Sequence, residues 1–245
     1  MNFTYKTYKN ILIKLKKDYK FVSFSKIKFS NETFKKSILL RHDIDQSLEK
    51  TIPISEIESE LGIIATYFLF LRSPFYNIFS PASESIVRKI LKSGHLIGLH
   101  FDFTKYSNIS VSETSYQIMK EIDFIQTFFN IKIDAVSFHR PISLKFFRNL
   151  ELSTYPHTYE PIFVDNFKYF SDSRGIWRFG NPFESEEYRK KENIHLLIHP
   201  IWWNEKSIKP IISIKKFRER YLKHFNENIN SELKSFWENL KNEKE

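Results

Sequence analysis

Ser37-Ile38-Leu39-Leu40-Arg41-His42-Asp43-Ile44-Asp45 is the stretch from which the fold can be read. It opens apolar and closes in charge. Ile38 to Leu40 show no polar alternation, the pattern of a central parallel strand covered on both faces. Two carboxylates follow, two residues apart. In an extended chain residues i and i+2 point to the same side, so Asp43 and Asp45 project together from the strand's C-terminal end. Like charges that close repel unless a cation or an arginine lies between them. The plain alternative is a pair of solvated turn aspartates, or an N-cap for a helix starting at Asp45 or Ser47. The histidines further along the chain favour a site.

Outward from this strand, apolar runs alternate with helical periodicity. Tyr5 to Tyr19 place Tyr8, Ile11, Leu12 and Leu15 on one helical face. Phe21 to Phe24 read as a short strand. Ser47 to Leu61 read as a helix with Ile54, Ile57 and Leu61 inward, Pro53 starting or kinking a turn. Ala65 to Leu71 is a second buried strand. Ser83 to Ser93 is a helix closed by Gly94. The strand His95 to Phe101, the helix Ser112 to Asn130 and the strand Ile133 to Phe138 continue the alternation. Beyond Ser143 the pattern weakens to a short helix at Leu144 to Leu150 and a short strand at Phe167 to Phe170. Ile194 to Ile198 is the last strand and Ser213 to Lys241 a long helix. Strand and helix in turn predict an α/β fold with parallel strands and ligands at their C-terminal ends. Without linkers or repeats, residues 1–245 read as one domain.

The absence of cysteine excludes disulfides and thiolate metal sites, so any metal must be held by His, Asp or Glu. The net charge of +9 is spread over helix surfaces (Lys14, Lys16, Lys17, Lys35, Lys36, Lys89, Lys92, Lys190, Lys191, Lys215, Lys216) rather than gathered with aromatics. That argues against a nucleic-acid partner. No apolar run approaches the ~20 residues that span a bilayer. Lysines interrupt Ile11 to Leu15, where a signal peptide would be continuously apolar. The expected location is cytoplasmic.

Four strand ends carry polar groups: Asp43 and Asp45; His100 and Asp102; His139 and Arg140; and His199, followed by Pro200. Such a convergence of imidazoles and carboxylates suits a divalent ion with N/O ligands, zinc above all. His95 and His195 lie at the opposite ends of their strands, and His42 points away from Asp43. These read as structural. His224 falls on a helix surface, and nothing decides the role of His157.

Five segments, in order, resemble the motifs of polysaccharide deacetylases, the NodB-homology superfamily. They are Arg41-His42-Asp43-Ile44-Asp45, Gly94-His95-Leu96-Ile97-Gly98-Leu99-His100, Ser137-Phe138-His139-Arg140-Pro141, Asp172-Ser173-Arg174-Gly175-Ile176-Trp177 and Leu196-Leu197-Ile198-His199-Pro200. The resemblance runs from about residue 38 to 203. It implies a distorted (β/α) barrel of about seven strands, with the N- and C-terminal amphipathic helices outside. It also implies a metal-dependent hydrolase removing an N-acyl group, in the first place acetyl, from an amino sugar. By this match Asp43 is the general base, Asp45 and His100 are metal ligands, Arg140 orients the base and His199 protonates the leaving group. Asp172, Arg174 and Trp177 of the fourth motif fall on the substrate side, and Trp202 offers a face on which a sugar ring can stack.

The family spaces its metal histidines four apart, yet Thr104 stands four residues past His100. The third ligand is then His139 or Asp102, with imidazole the better zinc donor. With a cytoplasmic location, the expected substrate is a carbohydrate or a nucleotide- or lipid-linked sugar of surface-glycan biosynthesis. The alternatives are a deformylase or other C–N hydrolase, and a catalytically degenerate barrel that binds a glycan.

Overall fold

The computed structural model describes residues 2–106, 110–141, 144–152 and 154–242. The strands are β1 (Lys20–Phe21), β2 (Ser37–Ile44), β3 (Thr66–Leu69), β4 (Leu96–Asp102), β5 (Val136–His139), β6 (Lys168–Ser171) and β7 (Ile194–Ile198). The helices are α1 (Tyr5–Lys16), α2 (Phe24–Phe29), α3 (Ile52–Glu60), α4 (Pro81–Lys92), α5 (Val111–Phe129), α6 (Leu144–Arg148), α7 (Pro161–Val164), α8 (Glu186–Arg189) and α9 (Pro210–Asn242). The strands form one sheet in the order β5-β4-β3-β2-β7-β6, with β1 on the start of β2. Every pairing is parallel. The sheet curls into a half-barrel surrounded by helices, the α/β architecture expected. β2 sits at its centre and all eight of its residues are buried. The register sets Asp43 beside Phe68 of β3 and Arg41 beside Leu197 of β7, which brings the strand ends to one mouth.

Two cores hold the sheet. The larger lies between its outer face and the helices, where Tyr8, Ile11, Leu12 and Leu15 of α1 and Ile86, Val87 and Ile90 of α4 are buried. Each such side chain contributes roughly 1.5–3 kcal/mol on leaving water. The smaller fills the inside of the curl with Phe24, Ile27, Leu39, Phe68, Ala135, Phe163 and Phe167. Gly98 allows this inner packing. A Cβ there would stand 2.5 Å from the Phe68 ring and 2.8 Å from the Ala135 carbonyl oxygen.

Buried among the outer helices is Glu58 of α3, whose carboxylate accepts from His42 Nε2 at 2.7 Å, from Tyr67 at 2.6 Å and from Tyr8. Burial pushes its carboxyl up, but His42, His95 and the Tyr67 hydroxyl together outweigh burial and hold it below the ordinary range. His42 is thereby committed to the outer layer, as its alternation with Asp43 predicts. The helix expected from Ser47 begins only at Ile52, after a 3-10 turn at Glu49–Thr51, because Pro53 fits the first turn of a helix and not its middle. Sequence periodicity gave no sign of α2. Its first turn is held from a distance, by the Asp134 carboxylate accepting from the amides of Phe24 and Ser25.

The chain separates into two compact units, residues 1–207 and 208–245. The second consists of α9, a 33-residue helix with Leu222, Phe225, Ile229, Leu233 and Phe236 exposed at helical spacing. Among the described residues no helix is long and apolar enough to cross a membrane.

Candidate metal and acid-base site

At the mouth, Asp45, His100 and His139 bring one ligand atom each into a common space, all within 4.8 Å of one another. His100 Nε2 and His139 Nδ1 each lie 3.1 Å from Asp45 Oδ1 and 3.3 Å from one another. Donors that share an ion at about 2 Å are spaced in this way. A hydrogen-bond chain prepares His100 for the role. Its Nδ1–H donates to Ser137 Oγ at 2.7 Å, and Ser137 in turn donates to Asp43 Oδ1 at 3.4 Å. With Nδ1 so committed, an ion that displaced the Nε2 proton would find a lone pair facing Asp45 and His139, the arrangement in which ligating imidazoles are held by an outer acceptor. The residues therefore fit a divalent ion with N/O ligands.

Asp102, the other candidate for third ligand, is engaged elsewhere. Its carboxylate accepts from the backbone amide and hydroxyl of Thr104 at 3.1 and 2.6 Å, capping a 3-10 turn. The carboxylates of Asp43 and Asp45 do share a face, but their surroundings differ. Arg41 donates through Nε and Nη2 to the two oxygens of Asp43, both at 2.7 Å. Burial pushes the Asp43 carboxyl up. The charges of Arg41 and His100 outweigh this and hold it at about 2. Asp45 is driven well below the carboxylate range against the same penalty, chiefly by hydrogen bonds from His100 and His139.

His199 closes β7 with its Nδ1 2.7 Å from Asp172 Oδ1, while Trp203 Nε1 donates to Asp172 Oδ2 at 2.8 Å. Burial opposes charging of this imidazole, but the hydrogen bond and charge of Asp172 prevail and push it up to about 9. An ordinary pKa near 6.5 is what an isolated histidine would have. Here the imidazolium is the resting form at neutral pH, with Nδ1–H donating to Asp172.

The site differs from the sequence reading in two positions. Arg140, expected to orient the base, is exposed and takes a left-handed φ of 50°. The guanidinium on Asp43 belongs to Arg41, which stands two residues before it on the same face. Asp172, expected against substrate, is completely buried beneath His199 and Trp203, and acts on the mouth only through His199. Arg174 is exposed with φ 62°, while Trp177 and Trp202 are half-buried and Trp203 is core. Of the remaining histidines, His95 Nε2 meets the Ser55 carbonyl, His157 Nε2 meets the Leu150 carbonyl, and His224 is exposed on α9. Arg41 and Ser137 were the residues passed over. The period-two alternation that joins Asp43 to Asp45 also adds Arg41, and Ser137 lies in register with His100.

No family model and no curated protein sequence matches the chain. Among solved structures it is similar to the chitin deacetylase of the fungal pathogen Colletotrichum lindemuthianum, at 13% identity and a TM-score of 0.49. The match covers 77% of this chain and 84% of that one. It is similar to a family 4 carbohydrate esterase from Bacillus anthracis at 16% identity and a TM-score of 0.45, over 86% of each chain. A family 4 pseudoenzyme from Bacillus anthracis is similar at 18% identity and a TM-score of 0.44, over 77% of this chain and 63% of that one.

Proposed function

We propose that this protein is a metal-dependent hydrolase that removes an N-acyl group, in the first place acetyl, from an amino sugar. The observation that carries the reading is the convergence of Asp45, His100 and His139 between a paired carboxylate, Asp43, and a charged imidazole, His199. A zinc ion held by Asp45, His100 and His139 would acidify a water and polarise the amide carbonyl. Asp43, fixed by Arg41 in one orientation, is the acceptor for the proton of the attacking water. Its low pKa makes it a weak base, matched to a nucleophile that is itself acidified. His199 begins as the imidazolium and delivers its proton to the amine leaving group. Asp172 holds its ring by Nδ1, so Nε2–H is the proton that can be given. Trp177 and Trp202, both half-buried, are the candidate ring faces for stacking a sugar. The substrate class we infer is a carbohydrate or a sugar-linked intermediate of surface-glycan assembly.

The experiment is hydrolysis of N-acetylated hexosamines and their short oligomers by zinc-loaded protein, reading free amine and acetate. The expected result is release of both, lost on chelation and restored by adding the ion. Zinc-loaded protein that binds one ion per chain yet releases neither acetate nor formate from acylated amino sugars would overturn the reading.

A further inference from the structure

Along α9, Leu222, Phe225, Ile229, Leu233 and Phe236 follow one another at spacings of three and four residues. Leu222 recurs as Leu233 and Phe225 as Phe236. This eleven-residue period is close to the natural helical repeat, so the stripe runs almost straight along the helix. Each of the five side chains is 44–58% exposed, whereas the apolar face of α1 (Tyr8, Ile11, Leu12, Leu15) is 0–4% exposed. A contiguous exposed stripe of this kind marks an interaction site.

Charge along the helix selects the occupant. Residues 210–225 hold Lys215, Lys216, Arg218, Arg220 and Lys223 against Glu219 alone, a net charge of +4. Residues 226–242 hold Glu227, Glu232 and Glu238 against Lys234 and Lys241, a net charge of −1. A bilayer with anionic lipids attracts cations along the whole of an amphipathic helix. Here the acidic half is the one that carries Leu233, Phe236 and Trp237. A second copy laid antiparallel sets the basic half of each helix on the acidic half of the other, and a parallel copy would set basic on basic.

Two charged residues fix the register. Arg218 lies four residues before Leu222, inside the stripe, and Glu232 lies three past Ile229 and four before Phe236, at its edge. Both are exposed, and neither takes part in the Lys223–Glu227 ion pair of the same helix. Within one helix they stand ~21 Å apart and cannot meet. Each is seven residues from Phe225. Two copies crossing antiparallel at Phe225 therefore bring each Arg218 level with the other copy's Glu232, twice by symmetry.

We propose that α9 is a self-association helix, through which two copies of this chain pair antiparallel about Phe225 with Arg218 and Glu232 joined across the two-fold axis.

The test is sedimentation equilibrium of the full chain over a range of micromolar concentrations. The mass should rise with concentration from 29.6 kDa to twice that value. Phe225→Asp should abolish the rise, with near-ultraviolet circular dichroism matching wild type to show that the variant is folded. Arg218→Glu and Glu232→Arg should each weaken the dimer by about tenfold, because each places like charges together twice. The double exchange should restore it, which also shows that the single variants fold. In a parallel pair each residue would face its own counterpart and the double exchange would rescue nothing. A chain monomeric at every concentration, a dimer indifferent to Phe225→Asp, or single exchanges that do no harm or are not rescued would overturn the proposal. Vesicles of phosphatidylglycerol and phosphatidylcholine serve as the second probe. A monomeric chain that sediments with them, and no longer does so as Phe225→Asp, would overturn it in favour of a membrane surface.

Discussion

Arg41→Gln tests whether an arginine inside the strand, and not the one after β5, sets the state of Asp43. Both partners of the Arg41–Asp43 pair have side chains 4% exposed, joined by two 2.7 Å hydrogen bonds. Removing one member leaves an uncompensated charge in the interior, which costs about 3–5 kcal/mol. Part of that loss is visible as a pH dependence. Asp43 falls from 3.8 to about 2 on folding, so its contribution is present above pH 3.8 and is lost as pH falls towards 2. The shift corresponds to about 2 kcal/mol. Without Arg41, burial acts unopposed by its largest partner, and that window should close. The assay is urea unfolding of chelated wild type and Arg41→Gln at pH 7, then at steps from pH 5 to pH 2. The variant should be weaker by several kcal/mol at pH 7, with the two curves approaching one another below pH 4. A loss under about 1 kcal/mol, with parallel curves through that range, would show that Arg41 and Asp43 are not coupled as drawn.

Further consequences can be measured on the same protein. Asp45→Asn, His100→Ala and His139→Ala should each lose the bound ion by elemental analysis. Asp43→Asn should keep it while turnover drops by about 10²-fold or more; metal loss in Asp43→Asn would exchange the two roles. Because the folded pKa of His199 is raised to about 9, its contribution to stability is complete below about 6.5 and disappears as pH rises to about 9. Asp172→Asn should remove that window from the chelated protein, and an unchanged alkaline limb would refute the pairing. His199→Ala should cripple amide hydrolysis but spare an activated aryl ester, with metal content unchanged; equal loss on both would exclude the acid role. Gly98→Ala should destabilise by about 1–3 kcal/mol in urea unfolding, and a neutral result would mean that Phe68 has room to move.

What was legible in the sequence was whatever depends on periodicity and spacing. The buried runs at Ile38–Leu40 and Ile194–Ile198 announce central strands because a parallel sheet covered on both faces admits no polar alternation. Asp45, His100 and His139, from the ends of three strands, then fall together by topology alone. What could not be read was decided by contacts across the fold. Nothing local in Asp172-Ser173-Arg174 says that the carboxylate will turn inward beneath His199. That follows from Trp203, whose buried indole must find an acceptor, and from the backbone amide of His199, which donates to Asp172 as well. Asp134 is a similar case, tying α2 to the inner core from 110 residues away.

The position of Arg41 shows why motif order alone is a poor guide to which residues meet. A carboxylate at this mouth needs a cation, and the chain can supply one from any strand whose inward face reaches the same layer. β5 ends in His139-Arg140, where only one of two neighbouring residues can face inward. His139 takes that place and completes the triangle with Asp45 and His100, so Arg140 is carried outward at φ 50°. Thr104 offers no imidazole where one was expected, and its hydroxyl binds Asp102 instead. The two departures are therefore one exchange. β5 gives His139 to the cluster with Asp45 and His100, and β2 provides the guanidinium for Asp43 from its own preceding inward position. On this argument Thr104→His, without further change, would meet a ligand set already complete and should raise metal affinity less than His139→Ala lowers it. Isothermal titration of zinc into the two chelated variants decides the point. Equal and opposite changes would show that the ligand set is not closed by His139.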